Sequence, residues 1–262
     1  MSTSNNVKKY PGFNFWTVCF FAFLYLPILV VILYSFNSSK LVSVWGGFSL
    51  KWYVNALNNN NLLDAVQVSL TVAIIATVIS TTVALLAAMV LVRGKGVRFR
   101  KTSETIVSLP LLLPEVVVAV AILIFFSNLG IGNGMLKLII AHSTFCIPFA
   151  FLPIRARLQG MNMHVEEASE DLYANKWTTF KRITFPLILP GVSSGAMLAF
   201  VISMDDFITS SMLNSGGSTT LPVYIFSLIR QGVTPELNAI STLIIGVSLF
   251  LAGGAFLLQR QR

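Results

Sequence analysis

The chain has 262 residues, of which 55% are hydrophobic and only 11% charged, with a formal net charge of +8. An ordinary soluble domain carries about a quarter charged residues, so that class is excluded. The basic balance would suit nucleic acid if it formed one soluble patch. Here the charges fall between apolar runs, and membrane orientation explains them better.

Residues 1–11 are polar and carry Lys8 and Lys9. Residues 13–36 form the first predicted span, long enough to cross a hydrocarbon core of about 30 Å at about 1.5 Å per residue. It is too long for a signal peptide and lacks a small-residue cleavage site, so it is expected to be retained. A loop with Trp45, Phe48, Trp52 and Tyr53 leads to a second span at 66–92. The stretch RGKGVRFRK, 93–101, then packs five positive charges into nine residues. A third span, 105–126, is interrupted by Pro110 and Pro114, and a short Gly-containing turn at 128–133 precedes a fourth, 135–154. After a polar island comes a fifth span, 188–211. The loop 213–236 contains a short helix started by Thr220-Leu221-Pro222 and stopped by Gly232. Thr234-Pro235-Glu236 caps a sixth span, 237–258. Cys19 and Cys146 each sit in an apolar run without metal spacing and read as small buried hydrophobes.

The polar island, Arg155 to Pro190, interrupts a chain otherwise built for lipid. Asn162 is a suitable N-cap, and Met161, Val165, Ala168 and Leu172 recur at helical spacing. Glu166, Glu167, Glu170 and Asp171 cover the other face. Tyr173-Ala174-Asn175 reads as a turn, and Asn175 can cap a second short helix through Trp177, Phe180 and Lys181. Pro186 and Pro190 mark the return to the membrane. Two readings stand: a knob made for a socket on another protein, or a solvated loop joining two spans. With six spans, fourteen of the eighteen Lys and Arg fall on the side of the termini, the 93–101 loop and the island. The positive-inside rule makes that side cytoplasmic.

The sequence holds no G-x-x-x-x-G-K-[ST] and no HExxH, so a partner is expected to supply any work. The informative polar residues lie within spans, where an ionised group costs at least about 2.5–3.5 kcal/mol near the centre. Glu115 follows Pro114 in the third span, and Asp205 and Asp206 lie in SMDDFITSS of the fifth. Ser203, Asp206 and Ser210 make one helical stripe; Asp205 and Thr209 make an adjacent one. The aspartates lie about 23 Å along the helix from Pro190, toward the outer half of the bilayer. Such acids suit a cationic solute, or they cap broken helices or bond to a neighbouring subunit. Two adjacent acids cannot face the same line, so one of the pair has room for a structural role. Trp45, Trp52 and Tyr53 fit an interfacial aromatic belt, or a face for an ammonium. His142 reads as a hydrogen-bonded histidine in a helix interface.

Glu167-Ala168-Ser169, then Ile183, then Phe185-Pro186, resembles the "EAA" signature of permease subunits of bacterial binding-protein-dependent ABC importers. The resemblance implies an all-α membrane protein with six transmembrane helices, the type I ABC importer (MetI-like) permease fold, and a cytoplasmic coupling hairpin at 162–186. In that family the hairpin docks in a groove of the ATP-hydrolysing subunit. Glu167, Ala168, Ser169, Asp171, Leu172, Tyr173, Ile183 and Pro186 are the coupling residues so implied. The family's Gly position holds Tyr173 here. A positive φ disfavours Tyr by about 1–2 kcal/mol, so either Asn175 takes that backbone role or the hairpin closes differently.

SFNSSKLVSVWGGFSLKWY, AHSTFC, SMDDFITSS and TTLPVYIFSLIRQGVTPELNA resemble polyamine permease subunits, with the strongest likeness to the putrescine system. This resemblance runs over nearly the whole chain and implies roles in polyamine handling for Trp52, Glu115, Ser203, Asp205 and Asp206. Tyr53 joins them as a residue of the substrate path. It further implies a homologous second permease, two ATP-binding subunits using ATP and Mg, and a periplasmic polyamine-binding protein. No cofactor, metal or catalytic residue is expected in this chain. The rival readings are a permease of the same architecture for a metal ion or amino acid, and an ATPase-independent cation carrier.

Overall fold

The structure, a computed structural model, describes residues 13–41, 44–94, 98–232 and 234–260. Lys8, Lys9, Arg262 and the 95–97 part of the basic loop lie outside them. The described residues form helices and no strand beyond an isolated bridge between Asn37 and Phe48. The chain divides into two units: residues 1–60 with 225–262, and residues 61–224.

In the first unit, α1 (Phe13–Tyr34) is apolar on every side, so its helical periodicity gives no preferred face. Asn37, fully buried, then organises the loop. Its side-chain amide donates to Val44 O at 2.7 Å, and its Oδ1 accepts from Gly46 N at 2.8 Å. A short helix follows, α2 (Lys51–Leu57).

In the second unit, α3 (Asn60–Arg93) buries a small-residue face, Ala65, Ser69, Ala73, Ala76, Ser80, Ala84 and Ala88, spaced three or four apart. Small side chains there let neighbouring helices approach closely. α4 (Arg100–Ser108) runs into a 3-10 turn at Leu109–Leu111, and α5 (Glu115–Asn128) starts afresh at an angle of 100°. The predicted third span is therefore a bent pair. Pro110 and Pro114 lack the N–H that would continue the ladder, and Pro114 is extended at ψ 131°. α6 (Gly134–Gln159) is capped by Asn133, whose Oδ1 accepts from Leu136 N.

The polar island gives α7 (His164–Asp171) and α8 (Lys176–Thr179). α8 does not stop before the membrane: a π-helical stretch, Phe180–Thr184, joins it to α9 (Phe185–Asp205). Pro186 does not open a new helix. It cannot donate to the carbonyl four residues back, and the wide turn immediately before it accommodates that loss. Asp206 is extended at ψ 112°, which ends α9; α10 (Ile208–Leu213) follows. The predicted fifth span is thus broken at its aspartates. α11 (Leu221–Gln231) ends before Gly232, at φ 117°, as expected. α12 (Pro235–Arg260), in the first unit, packs against α1 and α2.

Two apolar clusters hold the second unit. Ala84, Ala88, Phe151, Ile154, Ile188 and Ala199 tie α3, α6 and α9. Val68, Val72, Phe126, Leu138 and Leu213 tie α3, α5, α6 and α10. Four described helices are long and apolar enough to cross a membrane, five if the α4/α5 pair is one bent span, and 235–247 is a shorter apolar stretch.

Candidate functional site

The intramembrane acids gather where two helices break. Glu115 opens α5, directly after the bend, and is exposed. Asp205 ends α9 and is exposed; Asp206, its neighbour, is 4% exposed. The Glu115 and Asp206 carboxyls stand within hydrogen-bonding reach of each other, and Asp205 lies within their electrostatic range. Carboxylates this close repel unless a positive charge is shared between them.

Asp206 is fully engaged. Its Oδ1 accepts from Thr209 N at 3.2 Å, and its Oδ2 accepts from Ser210 N at 2.8 Å and Ser210 Oγ at 2.9 Å. It therefore caps α10. His142, on α6 and 1% exposed, completes the cluster. Its Nδ1 is 2.8 Å from Ser203 Oγ, and its Nε2 is 3.2 Å from Ser210 Oγ and 3.3 Å from Asp206 Oδ2. Ser203, Asp206 and Ser210 do converge on one point, although the helix that was to align them is broken between the second and third. Thr209 is buried while Asp205 is exposed, so those two share no surface. No reading of single segments pairs His142 with Asp206; a histidine buried in an apolar span and an acid stripe in another were the available signals.

In the first unit Trp52 is 7% exposed and donates its indole N–H to Asn37 O at 2.8 Å, with Lys51 Nζ 5.3 Å from its ring centroid. The Tyr53 hydroxyl is 2.5 Å from Ser35 Oγ, and its ring packs on Phe36. These contacts fix the aromatic pair to the 35–48 loop. Trp45 packs edge-on against Tyr34.

The hairpin closes by local rules. Asn162 Oδ1 accepts from His164 N, and α7 starts at His164 itself. At the far end Tyr173 adopts φ 60°, so Tyr173 takes the left-handed position itself; Asn175, at φ −73°, does not. Tyr173 N donates to Glu170 O at 2.9 Å and Ala174 N to Ser169 O at 3.1 Å, the paired bonds of a Schellman stop. Asn175 caps α8 through Thr178 N at 2.8 Å. Ser169 and Thr179 hydroxyls meet at 2.6 Å between the arms. Glu166, absent from the predicted coupling set, anchors the base: it is 3.2 Å from Arg93 of α3 and accepts from Thr184 Oγ1 at 2.7 Å. Arg93 also contacts Met163 Sδ. Arg155 and Glu104 pair at 2.7 Å, tying α6 to α4. Glu167, Ala168, Asp171 and Leu172 are exposed, Ile183 is half-buried and Pro186 is exposed. Tyr173 is 99% exposed, and Leu172 and Trp177 are also largely bare.

Comparison with known proteins gives these features a lineage. Residues 80–261 match the model of the binding-protein-dependent transport system inner membrane component. The putrescine transport system permease protein PotI of Escherichia coli (strain K12) is 41% identical over 232 residues, 86% of this chain and 83% of that protein. The spermidine/putrescine transport system permease protein PotC of Haemophilus influenzae is 38% identical over 241 residues, 92% of this chain and 93% of that protein. A chain in the crystal structure of a bacterial ABC transporter involved in import of the acidic polysaccharide alginate superposes with TM-score 0.71 at 13% identity, covering 94% of each. At that identity the likeness shows the fold alone, the MetI-like permease fold of ABC importers. Together, the matched length and the identity to full-length relatives show that this chain belongs to the binding-protein-dependent transport system inner membrane component family and is an integral inner-membrane protein.

Proposed function

We propose that this chain is the transmembrane permease subunit of an ATP-driven polyamine uptake system, working by alternating access. One observation carries the reading: Glu115, Asp205 and Asp206 are brought from two helix breaks to one place. Irregular backbone inside a membrane is tolerated where protein or a water-filled path covers it. Exposed carboxylates at such breaks suit an organic ammonium, and the kinship with putrescine and spermidine/putrescine permeases points the same way.

Six spans place both termini and the 162–186 hairpin in the cytoplasm. The chain pairs with a homologous second permease, forming the path with it. Two ATP-binding subunits dock on the hairpin, and they use ATP and Mg. A periplasmic polyamine-binding protein delivers putrescine or spermidine to the outer side. The half-buried ring of Tyr53 lines the entry, and Trp52, buried against the loop, supports it from behind. Ser203 and the three acids form the path within the membrane. The path binds weakly, since a site that held tightly would not release.

The test is uptake of labelled putrescine and spermidine into proteoliposomes carrying the complete importer. Asp205→Asn and Glu115→Gln each remove one exposed charge. Each is expected to slow uptake about tenfold, with the complex still assembling. Unchanged uptake in both, and in the double variant, would refute the acidic path.

A further inference from the structure

We propose that His142 is a positioning residue for solute passage: by holding Asp206 at the α9–α10 break it sets where the exposed carboxylates of Asp205 and Glu115 stand. The proposal rests on the acidic-path reading above. His142 is too deeply buried to meet solute. Its two ring nitrogens reach different helices, Ser203 in the last turn of α9 and Ser210 in α10. Asp206 leaves the helical conformation, so the backbone ladder of α9 does not continue into α10. The side-chain link across that gap runs through one imidazole carried by α6. The hydrogen bonds close consistently. Ser210 Oγ donates to Asp206 Oδ2, Nε2–H is then the donor toward Asp206 and Ser210, and Nδ1 accepts from Ser203. Every polar atom of the ring thus has work inside the scaffold.

The chemistry of two replacements separates positioning from packing. Asn places its amide near the position of Nδ1 and cannot reach Asp206; Gln places its amide near that of Nε2 and can. In the complete importer, His142→Asn is expected to lower putrescine moved per ATP hydrolysed about tenfold, the effect of taking one partner from a buried carboxylate. His142→Gln should stay within about twofold of the parent. If His142 acts through Asp206, His142→Asn adds no further loss in an Asp206→Asn background. Equal effects of Asn and Gln, no effect of Asn, or multiplied losses in the double variant would overturn the proposal. Should His142→Asn fail to assemble, His142→Gln decides: near-parental coupling supports the role and a tenfold loss overturns it. Asp205→Asn and Glu115→Gln run alongside. If they leave uptake intact, the acidic path fails; if they impair it while His142→Asn does not, only the role of His142 fails.

Discussion

Adjacent acids in this chain divide their roles. Asp206 turns inward and caps α10, while Asp205 turns outward. Glu166 turns inward to Arg93 and Thr184, while Glu167 stays at the surface, paired with exposed His164 at 2.9 Å. Each division predicts a contrast between neighbours. Asp206→Asn keeps one acceptor for Ser210 but turns an amide donor toward the N–H of Thr209, so it should destabilise the assembled permease by about 1–3 kcal/mol. Asp205→Asn should leave stability unchanged and reduce uptake; thermal unfolding in detergent, set beside uptake, checks both. Tyr173 offers a third residue-scale prediction. A non-glycine residue at φ 60° carries about 1–2 kcal/mol of strain, and its side chain, 99% exposed, recovers little by packing within this chain. Tyr173→Gly should therefore slow hydrogen exchange at Tyr173 and Ala174, whose amides close the stop of α7. Faster exchange would mean that the ring, not the backbone, holds the turn.

At the scale of elements, α6 and α9 approach closely where glycines of α9 face α6. A Cβ built on Gly195 would stand 2.7 Å from Ala150 O, and one on Gly191 would stand 2.6 Å from Arg157 Cβ. The first neighbour is backbone and cannot turn aside. Gly195→Val should cost more than the usual 1–3 kcal/mol or so of overpacking, read as a loss of the folded complex on size exclusion. The elements also show what local sequence can express. Asn175, Gly232 and the two prolines of the third span act on their own neighbours, so that cap, the stop and the break were legible. The 2.8 Å contact of His142 with Ser203 joins residues 61 apart in sequence, and the Arg93–Glu166 pair is also long-range. Nothing in either segment specifies such a pairing. The π-helical join before Pro186 was missed for a related reason: proline reads as a stop, whereas here the preceding turn widens and the helix goes on.

At the scale of the whole molecule, the apolar surface falls into two kinds. The bare residues of α1 and α3 belong to helices apolar enough to lie in lipid. Leu172, Tyr173 and Trp177 belong to a hairpin rich in acids and bases, where lipid is no explanation for exposure. An apolar cluster rimmed by charge marks a protein contact, and buried Trp side chains commonly dominate such contacts. The hairpin is also held from behind, by Glu166 on Arg93 and Thr184 and by the Ser169–Thr179 bond, so a push from a subunit docked on its tip, as proposed, would be delivered to α3 and α9. Two substitutions separate contact from transmission. Trp177→Ala removes a largely exposed ring that stacks on Phe180, so the permease itself should remain stable. Its affinity for the ATP-binding subunit should fall about 30-fold or more, the effect of losing a hot-spot aromatic of about 2 kcal/mol. Glu166→Gln keeps an acceptor for Thr184 and loses the charge opposite Arg93. The ATP-binding subunit should still bind, and ATP hydrolysis should continue with less solute moved per turnover. Co-purification together with the transport-to-hydrolysis ratio checks both. Loss of binding in Glu166→Gln, or full retention in Trp177→Ala, would mean that the bare face of the hairpin is not where the force enters.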